Sequence, residues 1–322
     1  MNIGYLIKVL PRLEEIVPAD VESYVQIYAD ENGVYTAADL GKITKVDAFI
    51  ISMEPVNEQI LAATERLKIV QRLGVGYETI DLEAVARRQI PACNIDGVNK
   101  EAVAEHNMAL ILSLAKKLPE AINFTQKSDW PSARELTRKA FELKGCTIGI
   151  IGFGDTGSSL AKRAHGFEMK IVYNEVRDVN GDIAEQVSAT RVSKEQLLST
   201  ADIVCVCTDL NDSTRYMIDA DAIAFMRPET TFLCCARGGI VDEPALAQAL
   251  KKGKIAQAGI DVFETEPVEP DNPLLGLPNC IVTSHVAGAT YPTTMRTWEW
   301  AHENIRAVVN RGERPRWIKN GV

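Results

Sequence analysis

Short, unbroken apolar runs recur along the 322 residues, separated by stretches with the spacing of helices. Strands are expected at Asn2–Val9, Ala48–Met53, Lys68–Leu73 and Ile90–Ile95. A helix over Asn57–Leu67 would turn Ile60, Leu61, Ala63 and Leu67 inward, and Asp81 would cap a second. A longer helix, Lys100–Lys117, follows Asn99; its apolar Val103, Met108, Leu110, Leu112 and Leu114 cover more than one face, which predicts burial on several sides. Residues 119–145 read as helical in parts and broken by Pro131. They carry Trp130, and a dimer arm and a surface excursion explain them equally. The alternation then resumes with Thr147–Ile151, Lys170–Asn174, Asp202–Cys207, Thr230–Cys235, Gln257–Val262 and Cys280–Ser284, runs of the kind that parallel sheets bury on both faces. An amphipathic helix, Thr293–Arg311, follows. Two successive alternations predict an α/β protein of two doubly wound domains with a cleft between them. Domain termini tend to lie together, so the last helix should return to the first domain. That gives a discontinuous domain of 1–98 plus 289–322 and a continuous one of 99–288.

The strand ending at Ile151 empties into Gly152-Phe153-Gly154-Asp155-Thr156-Gly157. Gly152 permits a tight turn, Gly154 lets backbone approach a pyrophosphate, and Gly157 lets helix and strand pack closely; the helix N-terminus there offers free amides to an anion. The next strand ends at Glu175, 175 − 157 = 18 residues past the last glycine, where such a fold places the acid that binds an adenosine ribose. Strand, glycines, helix, strand and acid together predict a Rossmann-like dinucleotide site. Gly74-Val75-Gly76 also follows a strand; from spacing alone it reads as a turn, with an anion-binding loop as the alternative.

Three polar residues fall just past successive strands of this second sheet: Arg237, Glu266 and His285. If the sheet is parallel, their strand ends face the crevice that receives a nicotinamide. Interconverting a secondary alcohol and a ketone moves a proton on oxygen as hydride moves on carbon, which suits a histidine. A carboxylate beside it would orient the ring and favour its protonated form, and a guanidinium can grip a substrate carboxylate bidentately. Each residue alone has an ordinary reading as surface arginine, ion-paired glutamate or strand-end histidine; the trio in one dinucleotide-binding sheet favours the chemical one.

Composition narrows the options. The net charge of −9, without a Lys/Arg run, argues against nucleic-acid binding. The seven cysteines lie mostly in apolar runs with no metal-ligand spacing, so no metal is expected and the thiols read as those of a reduced, cytoplasmic protein. Neither an export signal nor a membrane span is apparent in the apolar pattern.

Gly74–Asp81, Ala104-Glu105-His106, the glycine fingerprint, Ala236–Glu243, Asp261–Pro267 and Ser284–Gly288 together resemble the D-isomer-specific 2-hydroxyacid dehydrogenase family, in the family's order and across most of the chain. The resemblance implies a homodimer that uses NAD(H) or NADP(H), with Arg237, Glu266 and His285 as the catalytic set. It also turns Gly74-Val75-Gly76 into the loop whose amides hold a substrate carboxylate, with Met53 on the same substrate side. Asp261 is implied at the nicotinamide carboxamide. Asp155, Thr156, Thr208, Asp209, Thr214, Cys235, Ala236, Ala287 and Gly288 are implied along the dinucleotide, whose reactive end Arg237 and His285 face. Three positions depart from the usual pattern: Asp209 and Ser284 replace prolines and Cys234 replaces asparagine, which puts the shell around His285 and Arg237 in question. A second acid near Glu175 favours NAD over NADP, while Arg177 pulls the other way. Ser52-Met53-Glu54-Pro55 lacks the arginines by which phosphoglycerate-type members hold a phosphate, so the expected substrate is a small 2-keto or 2-hydroxy acid of the glyoxylate, hydroxypyruvate or pyruvate type. An NAD-sensing corepressor with little turnover is the competing reading.

Overall fold

Within Met1–Val98 and Tyr291–Val322, which cluster into one compact unit, five strands pair entirely in parallel in the computed structural model. Residues 1–8, 16–179 and 181–322 are described. The strands are β1 (Asn2–Leu6), β2 (Ser23–Ile27), β3 (Ala48–Ile51), β4 (Ile69–Arg72) and β5 (Ala92–Cys93), in the order β2-β1-β3-β4-β5. The chain reverses direction across the sheet between β1 and β3, which makes this a doubly wound sheet of the 2-1-3-4-5 kind. The expected first strand ran to Val9, which lies outside the described residues. The helix expected over Asn57–Leu67 is confined to Glu58–Ala62: the Asn57 side chain caps its start at Ile60 N, and Leu67 is buried after the helix has ended. The strand expected at Ile90–Ile95 keeps only Ala92–Cys93, because Asn94 turns away to hydrogen-bond Trp317 O and Ile95 to hydrogen-bond Gly74 O.

The terminal helix, Tyr291–Val309, covers one face of this sheet, burying Trp298, Ala301 and Ile305 against Ile3, Tyr5, Ala48, Ile50 and Ile69. His302 is sealed in the same layer, and its two ring nitrogens do different work. Nδ1 lies 2.8 Å from Trp298 O and so must donate to it, which leaves Nε2 to accept from the Tyr5 hydroxyl at 2.9 Å. The neutral ring satisfies both partners. Burial, reinforced by the nearby Arg306 charge and opposed by the Trp298 carbonyl and Asp20, pushes its pKa down to about 4. The unfolded chain therefore takes up this proton near pH 6.5 and the folded chain only near 4, so stability present above 6.5 is lost as the pH falls through that window. The loss should reach about 3 kcal/mol. Urea midpoints at pH 7 and pH 4.5 should differ less for His302→Gln than for the wild type; an equal drop would remove His302 as the cause.

The second unit, Asn99–Thr290, holds β6 (Thr147–Ile151), β7 (Lys170–Asn174), β8 (Thr190–Arg191), β9 (Ile203–Val206), β10 (Thr231–Cys234), β11 (Gln257–Ile260) and β12 (Cys280–Val282). All pair in parallel in the order β12-β11-β10-β9-β6-β7-β8, so the direction of winding switches between β6 and β9. Helices Lys100–Lys116 and Asp155–Gly166 pack on one face, and Lys194–Thr200, Ala220–Phe225 and Glu243–Lys251 on the other. Both faces of the central strands are covered, which is why β6, β9, β10 and β11 read as continuous apolar runs. Pro131 does not break a helix: it sits in the first turn of Trp130–Glu135, where a missing N–H costs nothing, and the interruption falls at Lys127–Asp129, with Ser128 at φ 61°. Among the described residues no helix is long and apolar enough to cross a membrane.

Candidate active site

The glycine loop after β6 fits a dinucleotide in its backbone. Gly152 adopts φ 90°, and a Cβ there would stand 2.8 Å from the backbone of Cys207 and Thr208. At Gly157 a Cβ would lie 2.0 Å from Gly152 O. Side chains at these positions would fill the cradle and force the helix off the strand. Gly154 precedes helix Asp155–Gly166, whose first turn contains Asp155, Thr156 and Gly157 and whose free amides suit a pyrophosphate.

Glu175, just past β7, is 7% exposed and ties the loop together. Its Oε2 accepts from Phe153 N at 3.0 Å, and its Oε1 accepts from the amides of Val176 and Arg177, each at 3.0 Å. The Arg177 guanidinium adds contacts at 3.3 and 3.4 Å. Burial opposes the charge, but the Arg177 amide and guanidinium and the Phe153 amide outweigh it and hold the carboxyl below its usual range. Beyond β9, the Thr214 hydroxyl closes its own loop, donating to Asp209 O at 2.7 Å and accepting from Asn211 N at 2.8 Å.

Arg237, Glu266 and His285 come from the loops after β10, β11 and β12, three adjacent parallel strands whose carboxyl ends share one edge of the sheet. Glu266 Oε2 lies 2.7 Å from His285 Nδ1, and its Oε1 accepts from Phe263 N at 3.0 Å. Since a carboxylate only accepts, Nδ1 carries the hydrogen, and Nε2 is left to exchange a proton with a ligand. The side chains are 45% and 36% exposed, so a ligand can reach them. Arg237 donates to Ala236 O at 2.8 Å. Cys235 is buried, and burial pushes its thiol well above the usual range; that of Cys234, also buried, is pushed up to about 11. Asp261 is completely buried, its Oδ1 accepting from Val286 N at 3.0 Å and its Oδ2 from Ala287 N at 2.9 Å. Gly288 is packed so closely that a Cβ would meet Asn99 Nδ2 at 2.7 Å.

In the first unit, Gly74 adopts φ 115° after β4, and the loop's carbonyls are tied back into the protein. Gly74 O accepts from Ile95 N at 2.9 Å and Val75 O from Asn94 Nδ2 at 2.7 Å. Met53 is 68% exposed, its sulfur 3.3 Å from Arg72 Nη2.

Residues 108–287 match the family described as D-isomer specific 2-hydroxyacid dehydrogenase, NAD binding domain. The chain belongs to that family. A glyoxylate reductase of Korarchaeum cryptofilum is 33% identical to this dehydrogenase over 294 residues, covering 90% of this chain and 88% of its own. A glyoxylate/hydroxypyruvate reductase B of Shigella boydii is 33% identical over 91% of this chain and 86% of its own. Among solved structures, an NADPH-dependent glyoxylate/hydroxypyruvate reductase of Sinorhizobium meliloti superimposes with a TM-score of 0.82 at 29% identity, covering 99% of this chain and 97% of that one. The dehydrogenase is thus an oxidoreductase of hydroxy and keto acids that works with a nicotinamide dinucleotide.

Several supports of the site carry no sequence pattern. Glu243, 7% exposed, accepts from Glu264 N and Asn272 Nδ2, both at 2.6 Å, and so pins the loop that leads to Glu266. Asn94, fully buried, reaches Val75 O from a strand end that looked merely apolar. Arg72, on β4, places a guanidinium beside Met53, although Ser52–Pro55 itself carries no arginine.

Proposed function

We propose that this dehydrogenase reduces a small 2-keto acid of the glyoxylate, hydroxypyruvate or pyruvate type to the D-2-hydroxy acid, with NADH as its preferred partner, and that His285, Glu266 and Arg237 perform the reaction. The observation that carries the reading is the 2.7 Å contact between His285 Nδ1 and Glu266 Oε2 at the carboxyl edge of a dinucleotide-binding sheet. Gly152, Gly154, Asp155, Thr156 and Gly157 would hold the pyrophosphate and Glu175 the adenosine ribose; the bound dihydronicotinamide supplies the hydride. His285 Nε2 gives a proton to the substrate oxygen as C2 is reduced, and takes it back in the oxidation. Glu266 fixes the ring so that Nε2 faces the substrate, and it stabilises the imidazolium. Arg237 grips the substrate carboxylate and polarises the C2 carbonyl. The carbonyls of Gly74 and Val75 are hydrogen-bonded within the first unit, which leaves the amides of Gly74–Gly76 as the part of that loop suited to an anion.

Arg177 favours a 2'-phosphate by charge, but its guanidinium is engaged by Glu175, and a buried carboxylate at the ribose repels a second negative group. Like-charge juxtaposition of this kind costs enough that kcat/KM with NADH should exceed that with NADPH by about tenfold or more. Loss of reduced-nucleotide absorbance with glyoxylate, hydroxypyruvate and pyruvate checks this. Turnover of none of them would sink the substrate class, and equal or better use of NADPH would sink the cofactor choice. The first domain's role is substrate binding and the second's dinucleotide binding, in a cytoplasmic enzyme. Leu118, Ile122 and Trp130, which are 42%, 54% and 66% exposed, supply the apolar face of a homodimer arm.

A further inference from the structure

His285 is held in an unusual way. Its backbone sits at φ 52°, in the left-handed region that few non-glycine residues occupy, and nearby hydrogen bonds must stabilise it there. Those bonds converge on Asp261: His285 N donates to Asp261 O at 2.7 Å, and the side-chain oxygens of Asp261 take the next two amides, Val286 N at 3.0 Å and Ala287 N at 2.9 Å. The orientation of Asp261 therefore sets the orientation of the histidine loop.

Two further side chains fix Asp261. The Thr283 hydroxyl lies 2.5 Å from Asp261 Oδ1, and His106, on helix Lys100–Lys116, places Nε2 3.1 Å from the same hydroxyl and 3.6 Å from Oδ1. The directions of the bonds follow from the donor inventory. The carboxylate can only accept, so the single threonine proton goes to Asp261; the threonine oxygen must then accept, so His106 Nε2 is the donor. Donors therefore converge on Asp261 from two sides: His106 through Thr283 from the helix, and the amides of His285, Val286 and Ala287 from the histidine loop. Asp261 is completely buried, so removing the Thr283 hydroxyl leaves its carboxylate short of a donor where water cannot replace it, and removing His106 takes away the donor that orients that hydroxyl.

We propose that Thr283 and His106 are positioning residues for catalysis: they aim His285 Nε2 through Asp261 without touching substrate or cofactor. The proposal rests on the reading that His285 is the acid and base. A small displacement of such a group costs far more in the chemical step than in binding, since bound geometry must hold to about 1 Å.

The experiment is steady-state reduction of glyoxylate by NADH, with NADH affinity followed by fluorescence, on Thr283→Val, Thr283→Ser, His106→Leu, His106→Gln and the control His285→Asn. Thr283→Val should lower kcat by about tenfold to a hundredfold, with the Kd for NADH changed less than about twofold. Thr283→Ser restores the hydroxyl and should return kcat to near the wild-type value. His106→Leu should repeat the loss more mildly, and His106→Gln, which can still donate, should repair it. The inference is overturned if Thr283→Val keeps full kcat, or if kcat and NADH affinity fall together and serine does no better than valine. Should Thr283→Val fail to fold, the His106 pair decides by the same criteria. A His285→Asn variant with undiminished kcat would instead overturn the underlying reading, whereas loss there with none in the Thr283 and His106 variants would overturn only the positioning role.

Discussion

His285→Asn is expected to lower kcat/KM for the 2-keto acid by about 10²–10⁴-fold while NADH still binds, because a positioned acid and base contributes about that much to a proton-coupled step. Asparagine tolerates the φ of 52° that histidine adopts here, so the backbone should survive the change where alanine would strain it. It can also hydrogen-bond, but it cannot hold a proton at neutral pH. Glu266→Gln should be nearly as severe. The amide keeps an acceptor oxygen for Phe263 N or for Nδ1, but it brings no charge to stabilise the imidazolium and can present a donor where Nδ1 needs an acceptor. Steady-state kinetics with NADH fluorescence titration check both. Wild-type kcat in either variant would contradict the assigned roles.

The second large effect is expected at a residue that touches no ligand. A Cβ on Gly238 would stand 1.8 Å from Phe263 O, 2.1 Å from Phe263 C and 2.7 Å from Glu264 N. These are backbone atoms, so no rotamer change relieves the overlap. The loop that carries Arg237 and the loop that leads to Glu266 must move apart. Gly238→Ala should therefore cost about 3 kcal/mol or more of stability and reduce kcat by about a hundredfold even where the protein stays folded. Gly166→Ala is the matched control, because nothing lies within 4 Å of the added carbon. Thermal melts and activity of the two variants, side by side, test the close approach of the two loops. Equal behaviour would show that the loops yield more readily than their packing implies.

Much of the fold was legible because parallel strands buried on both faces cannot hide their composition. β6, β9, β10 and β11 are almost wholly buried, and each appears as an apolar run. Two of the edge strands were not legible. β2, mostly exposed as Ser23–Ile27, and β8, exposed at both Thr190 and Arg191, are stabilised by one neighbouring strand and solvent, so their sequences show little apolar period. The chemistry followed the same division. A strand end can be located from its run, so Arg237, Glu266 and His285 could be named as residues past three strands, and the carboxylate placed beside His285 stands 2.7 Å from its Nδ1. The bonds that hold these groups join residues far apart in the chain. Thr283 to His106 spans 177 positions, Glu264 to Glu243 spans 21, and Asn94 reaches back 19 to Val75. Periodicity carries no trace of such pairings, which depend on where the loops cross in space.

Everything in the mechanism depends on where His285 Nε2 points once both ligands are bound. A crystal structure of the complex with NAD⁺ and oxamate, an unreactive mimic of a 2-keto acid, measures this directly. Nε2 is expected at hydrogen-bonding distance, about 3 Å, from the oxamate carbonyl oxygen, with Glu266 still on Nδ1 and Arg237 on the carboxylate. An imidazole turned away from the nicotinamide, or oxamate held without Arg237, would contradict the mechanism.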